Sequence, residues 1–186
     1  MKLFVRDSDT KRQKGSALLE FSFVLPFLLV FVVGLIEFGR GFNISHNVTN
    51  ACREGTRQAT QQDSNQITLT SANHVRDRVV SYMNSLGLQT TYYTGTGVLD
   101  TTTTSPTDYI YGSRSGAYLL VDQGEVIEQR DANGNVIPGG NYYLVSKVEI
   151  RYPYTFPLFG RVIKLLGPSS AYTGTFYIKN SAIMEN

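Results

Sequence analysis

Charged positions open the chain and give way abruptly to apolar ones. Lys11, Arg12 and Lys14 precede Gly15, and from Ala17 to Ile36 only Glu20 and Ser22 interrupt the apolar run. A bilayer-spanning helix needs about twenty such residues, so the pattern predicts a transmembrane helix over 16–36. A secretory signal would have a core of about 7 to 15 residues ending in a small-residue cleavage site. Here the run continues into Gly34-Leu35-Ile36-Glu37-Phe38-Gly39-Arg40, which offers none. A buried helix of a soluble protein seldom combines so long a stretch free of Lys and Arg with a basic block on one flank. Lys2, Arg6, Lys11, Arg12 and Lys14 outweigh Asp7 and Asp9 before the helix, and only Arg40 stands close beyond it. Positive charge near helix ends stays inside, so the N-terminus is expected in the cytoplasm and everything after Ile36 is expected to be exported.

The helical period does not stop at the membrane. Phe38, Phe42, Ser45, Val48, Cys52, Gly55 and Ala59 recur every three or four residues and form one stripe, with Arg40, Asn43, Asn47, Arg53 and Arg57 largely off it. One helix from Ser16 to about Gln62 would be roughly 70 Å long. Pro26 predicts a kink near Ser22 to Pro26, and Gly34, Gly39 and Gly41 loosen the helix where it leaves the bilayer. The polar stretch 61–65 reads as a connection. A second helix is expected over Ser71 to Leu86, with Ala72, Val75, Val79, Tyr82 or Met83, and Leu86 on its apolar face, a cap at Thr70 or Ser71, and Gly87 at its end.

Beyond it the periodicity changes. Residues 89–116 are dense in Thr, Gly and Ser with no sustained period, which predicts a long loop. AYLLVD and EVIEQR read as strands separated by Gln123-Gly124, and Asn133-Gly134 suits a tight turn. Tyr142 to Tyr152 alternates best, with Leu144, Val148, Ile150 and Tyr152 on one side and Lys147, Glu149 and Arg151 on the other. Pro153 and Pro157 are expected to stop it. The stretch PLFGRVIKLLG then forms an amphipathic excursion through Phe159, Val162, Ile163 and Leu166, which either covers the sheet or touches a membrane surface. A last strand is expected at about Ala171 to Lys179, with a frayed tail after it.

These elements give an α+β fold: a long N-terminal transmembrane helix extended into an exported domain with a second helix and an antiparallel sheet. The expected divisions are a cytoplasmic leader over 1–15, unfolded until bound; the membrane helix over 16–36; its exported continuation over 37–62; and the α+β domain over 63–186. An apolar content of 41%, with 12 Tyr and 10 Phe, is enough for a core. A net charge of +2 with scattered basic residues argues against nucleic acid. The single cysteine, Cys52, makes neither an intramolecular disulfide nor a metal site by itself; it reads as packing, with an intermolecular disulfide as the alternative. His74 lies off the apolar face and reads as solvated. No nucleophile, metal or phosphate-loop spacing is present, so neither an enzyme nor a cofactor is expected.

Glu20 poses the sharpest chemical question. A carboxylate in an apolar helix costs a few kcal/mol on insertion scales, so it is usually paired or functional. The bland alternative is an acid near the membrane surface that snorkels to water.

A basic leader ending in glycine, a glutamate five residues later and an apolar helix resemble the type IV prepilins, which are cut on the cytoplasmic side by a prepilin peptidase. More narrowly, GSALLEFSFVLPFLLVFVVGLIEFGRGF followed by NVTNACREGTR is similar to the TadE-like proteins, minor pilins or pseudopilins of the tight adherence (Tad/Flp) system. The matching residues are Glu20-Phe21, Leu25-Pro26, Glu37-Phe38-Gly39-Arg40, Asn50-Ala51, Arg53-Glu54-Gly55 and Arg57, within about residues 14 to 60. The resemblance implies a type IV pilin-like fold, cleavage between Gly15 and Ser16, and Glu20 as the assembly residue. It also implies an inner-membrane protein in pilus assembly, adhesion or secretion. The partners it implies are the peptidase, other Tad pilins, inner-membrane assembly proteins and membrane lipid, in a hetero-oligomer built through the N-terminal helix. An uncleaved, single-pass binding or adhesion module is the competing reading.

Overall fold

A computed structural model describes residues 9–62, 67–102, 107–158, 161 and 174–186, and of 9–15 only the backbone. The predicted helical period appears as α1 (Asp9–Thr60), unbroken through Pro26. It starts before Ser16, because the basic residues ahead of Gly15 are good helix formers that extend an existing helix. The leader is therefore helical from Asp9, contrary to the expected unfolded segment; residues 1–8 lie outside the described residues. The chain divides into two compact units, Met1–Gly41 with Phe156–Thr173, and Phe42–Thr155 with Gly174–Asn186.

In the second unit α1 is followed by α2 (Leu69–Ser85), whose buried residues are Ala72, Val75, Val79 and Met83, as the period predicts. Its cap lies earlier than expected. The Thr68 side chain accepts from the Ser71 N–H while the Ser71 hydroxyl accepts from the Thr68 N–H, a reciprocal capping box. Gly87 ends the helix at φ +71°, but Leu86 is exposed rather than packed.

A five-stranded antiparallel sheet runs in sequence order: β1 (Val98–Leu99), β2 (Asp108–Gly112), β3 (Tyr118–Glu128), β4 (Tyr142–Tyr154) and β5 (Phe176–Glu185). The Thr-rich stretch is thus not one loop. It contains a 3-10 turn (Thr91–Tyr93) and two strands, since Asp108 to Gly112 all pair with β3 and Val98 and Leu99 pair with Ile110 and Tyr109; residues 103–106 lie outside the described residues. AYLLVD and EVIEQR form one strand, and Gln123-Gly124 is a bulge where the register to β4 shifts between Asp122 and Glu125. A Cβ on Gly124 would come within 3.0 Å of Ile67 Cδ1 and Thr107 Oγ1, so the bulge is also a close approach. Asn133-Gly134 does form a turn, with Gly134 at φ +86° and its N–H donating to the Asp131 carbonyl.

Pro153 does not stop β4. Pairing with β3 ends at Arg151, so among the described residues Pro153 pairs with β5 alone, an edge-like position that tolerates the missing N–H. The tail does not fray. Ser181 to Glu185 pair with β4, and Asn186 accepts from the Ser146 hydroxyl, because β4 leaves that side open for a partner. The amphipathic excursion through Phe159, Val162, Ile163 and Leu166 lies outside the described residues, as do the first residues of the predicted last strand and positions 63–66 of the predicted connection.

One face of the sheet carries Tyr111, Leu119, Val121, Val148, Ile150 and Tyr152, packed in one core with Val48, Ala51, Cys52 and Ala59 of α1 and the apolar face of α2. The α1 stripe is buried from Val48 to Ala59, while Phe42, and in the first unit Phe38, are exposed.

Candidate functional site

The residues singled out by sequence all lie on α1, and burial separates them into groups. In the first unit, Gly15 is helical. The Ser16 hydroxyl donates to Glu20 Oε1 at 3.2 Å, one helical turn away, and both residues are exposed. Around them the apolar side chains are largely exposed: Phe21 is 59% exposed, Phe23 73% and Phe27 78%. Fully burying one such side chain stabilises by about 1.5–3 kcal/mol, so in water this surface would be strongly unfavourable. Ser22 turns its hydroxyl to the Leu19 carbonyl at 2.7 Å and hides its polarity within the helix. A window of eighteen residues here reaches a mean hydropathy of 2.5 with none of it buried, so the helix is long and apolar enough to cross a membrane. Pro26 lies within it.

The next group differs in exposure. Phe38, Gly39 and Arg40 are exposed, but Glu37 is buried and accepts a hydrogen bond from the Leu158 backbone N–H. Nothing in the sequence period signals that contact between positions far apart in the chain.

In the second unit, Arg53, Glu54, Gly55 and Arg57 take separate roles. Gly55 is where α1 meets both α2 and β4: a Cβ there would lie 2.5 Å from Val79 Cγ2 and 3.2 Å from Val148 Cγ1. Glu54 pairs with Arg78 of α2. Arg53 and Arg57 are exposed, and Arg57 lies in the last turn of α1, where a cation complements the helix dipole. Between these positions α1 holds β5 by polar contacts that sequence reading missed. Cys52 Sγ donates to the Asn180 carbonyl at 3.3 Å, Thr56 Oγ1 lies 3.2 Å from the Ala182 carbonyl, and Asn180 Nδ2 donates to the Ser45 carbonyl at 3.1 Å. Burial pushes the Cys52 thiol up to about 12, so it is a packed thiol and not a reactive one.

The opposite face of the sheet carries a charged strip. Tyr118 donates to Glu149, Lys179 reaches the same carboxylate at 3.0 Å, and Arg114 pairs with Asp100 while lying 5.6 Å from the Tyr118 ring centre. Burial raises the Glu149 carboxyl, but the Tyr118 hydroxyl and Lys179 ammonium outweigh it and hold the carboxyl below its ordinary range. Among the described residues, no three His, Cys, Asp or Glu side chains come together as a metal-binding group.

Residues 15–57 match the family model described as TadE-like protein, roughly a quarter of the chain. The match covers the exposed apolar length of α1 and ends at Arg57, three residues before the helix does. Neither a curated protein nor a solved structure matches the chain.

Proposed function

We propose that this chain is a minor pilin or pseudopilin of the tight adherence pilus system. It is anchored in the bacterial inner membrane by α1, with the N-terminus cytoplasmic and the sheet domain on the other side. The observation that carries this reading is that the TadE-like match at 15–57 takes in the part of α1 whose large apolar side chains, from Leu18 to Phe42, are exposed. A prepilin peptidase cuts between Gly15 and Ser16. The cut removes the basic block and leaves an ammonium at Ser16, one turn from Glu20. Negative charge in the first turns of a helix is favoured by the dipole, and in a low-dielectric bundle Glu20 pairs with the new N-terminus of a neighbouring subunit, setting register between helices. The role is structural and not enzymatic.

N-terminal sequencing of protein extracted from membranes that contain the peptidase tests the cut. The expected chain starts at Ser16 and Gly15→Ala blocks it; a chain still starting at Met1 would end the prepilin reading in favour of an uncleaved, membrane-anchored binding module. That module has one observation on its side, an open hollow of about 480 Å³ lined by Glu125, Val126, Ile127, Glu128, Arg130 and Tyr142. For Glu20→Ala, cleavage is expected to stay intact while co-purification with other pilins falls. Undiminished co-purification would remove Glu20 from assembly.

A further inference from the structure

Glu37 is 2% exposed, although its neighbours Leu35, Ile36 and Phe38 are 59%, 48% and 64% exposed. Its carboxylate accepts the N–H of Leu158, the beginning of the stretch that leaves β4 and returns as β5. That stretch groups with Met1–Gly41 and not with the sheet whose strands it joins. At 1.5 Å per residue, Glu37 lies roughly 31 Å along the helix from Ser16, and the hydrocarbon core of a bilayer is about 30 Å thick. If Ser16 marks the cytoplasmic boundary, as the proposed function has it, Glu37 and Leu158 stand at the opposite headgroup layer. Beyond Leu158 the next described residue is Arg161, which is basic and exposed, and the sequence from 155 to 178 carries no acid. Basic and apolar residues together favour an anionic lipid surface.

We propose that Glu37 is a positioning residue that holds the chain at Leu158 in the headgroup layer on the non-cytoplasmic side, giving the protein a second membrane contact besides α1. A carboxylate suits this post because a backbone N–H leaving bulk water needs a partner, and a charged acceptor makes the stronger bond.

The inference rests on the membrane reading of α1, and the test separates the two. In a Cys52→Ala background, the full chain is reconstituted into vesicles of phosphatidylethanolamine and phosphatidylglycerol. A fluorescent label is placed in turn at Leu158→Cys, at Phe31→Cys within α1, and at Asn133→Cys in the exposed turn. The label at 158 is expected to be quenched by a headgroup-attached quencher and to be several-fold less accessible to aqueous iodide than the label at 133. Glu37→Ala should abolish that protection, whereas Glu37→Gln, which keeps an acceptor oxygen, should preserve it. Equal iodide access at 158 and 133, or protection at 158 that survives Glu37→Ala, overturns the proposal while leaving anchoring by α1 intact. Loss of protection at 31 overturns the anchor and the proposal together. A Glu37→Ala variant that loses the domain's circular dichroism is replaced by Glu37→Leu, which keeps the side-chain bulk and removes the acceptor, and is read by the same criterion.

Discussion

A methyl group on Gly55 would lie 2.5 Å from Val79 Cγ2, so Gly55→Ala pits a small gain in helix propensity against overpacking where two helices and the sheet meet. The propensity gain is about 1 kcal/mol and overpacking costs about 1–3 kcal/mol, so a net loss is expected. The urea midpoint of the full chain in detergent should fall, and Val79→Ala in the same chain should recover part of it; strict additivity of the two changes would argue against a shared contact. Glu149 makes a different kind of prediction. Its folded carboxyl titrates below the ordinary value of 4.5, so the unfolded chain takes up the proton first as pH falls. The stability it contributes is present above that ordinary value and is lost as pH falls through the folded one. The difference in urea midpoint between wild type and Glu149→Gln should therefore be largest near neutrality and shrink below about pH 4.5. A difference that stays constant down to pH 3 would sink this account. The buried Cys52 thiol should resist alkylation in the folded chain at pH 8 and react once urea unfolds it, as mass spectrometry would record.

At the scale of elements, α2 distinguishes what a period can and cannot say. Its buried face was legible because Ala72, Val75, Val79 and Met83 recur at helical spacing. Its start was not, since Thr68, Thr70 and Ser71 are all acceptable caps by residue type, and only the path of the incoming chain selects Thr68. Thr68→Ala should therefore cost about 1 kcal/mol of stability in thermal or urea unfolding, and Thr70→Ala no more than about 0.5 kcal/mol. The reverse ranking would restore the cap expected from sequence. The strands obey the same logic. Tyr142 to Tyr152 alternates and was readable, but Pro153, the bulge at Gln123-Gly124 and the tail at Ser181 to Glu185 depend on which neighbour each strand has at each position. The sheet's outer strands are also managed by contacts that no local pattern encodes. β1 is two residues long, and β5 directs the carbonyls of Asn180 and Ala182 to α1 side chains. At β1 the edge is too short to offer a long open ladder to another chain.

For the whole molecule, the division of α1 between two units has a direct consequence. Val48, Ala51, Cys52 and Gly55 are buried in the sheet domain's core, so that domain needs the helix from Phe42 onward and not the apolar length before it. A chain starting at Phe42 should retain a cooperative urea transition with tyrosine near-ultraviolet dichroism, and one starting at Gln61 should lose both. Cooperative unfolding of the shorter chain would show that α1 is dispensable to the core. The apolar run, the basic block before it, the stripe from Val48 to Ala59 and the two helices were determined by the sequence alone, because burial and membrane solubility depend on side-chain composition repeated at a fixed period. The reach of Glu37 to Leu158, the clamp of α1 on β5 and the charged strip around Glu149 were decided only by the tertiary structure. Each joins residues far apart in the chain, and local periodicity carries no information about which distant group will meet a given side chain.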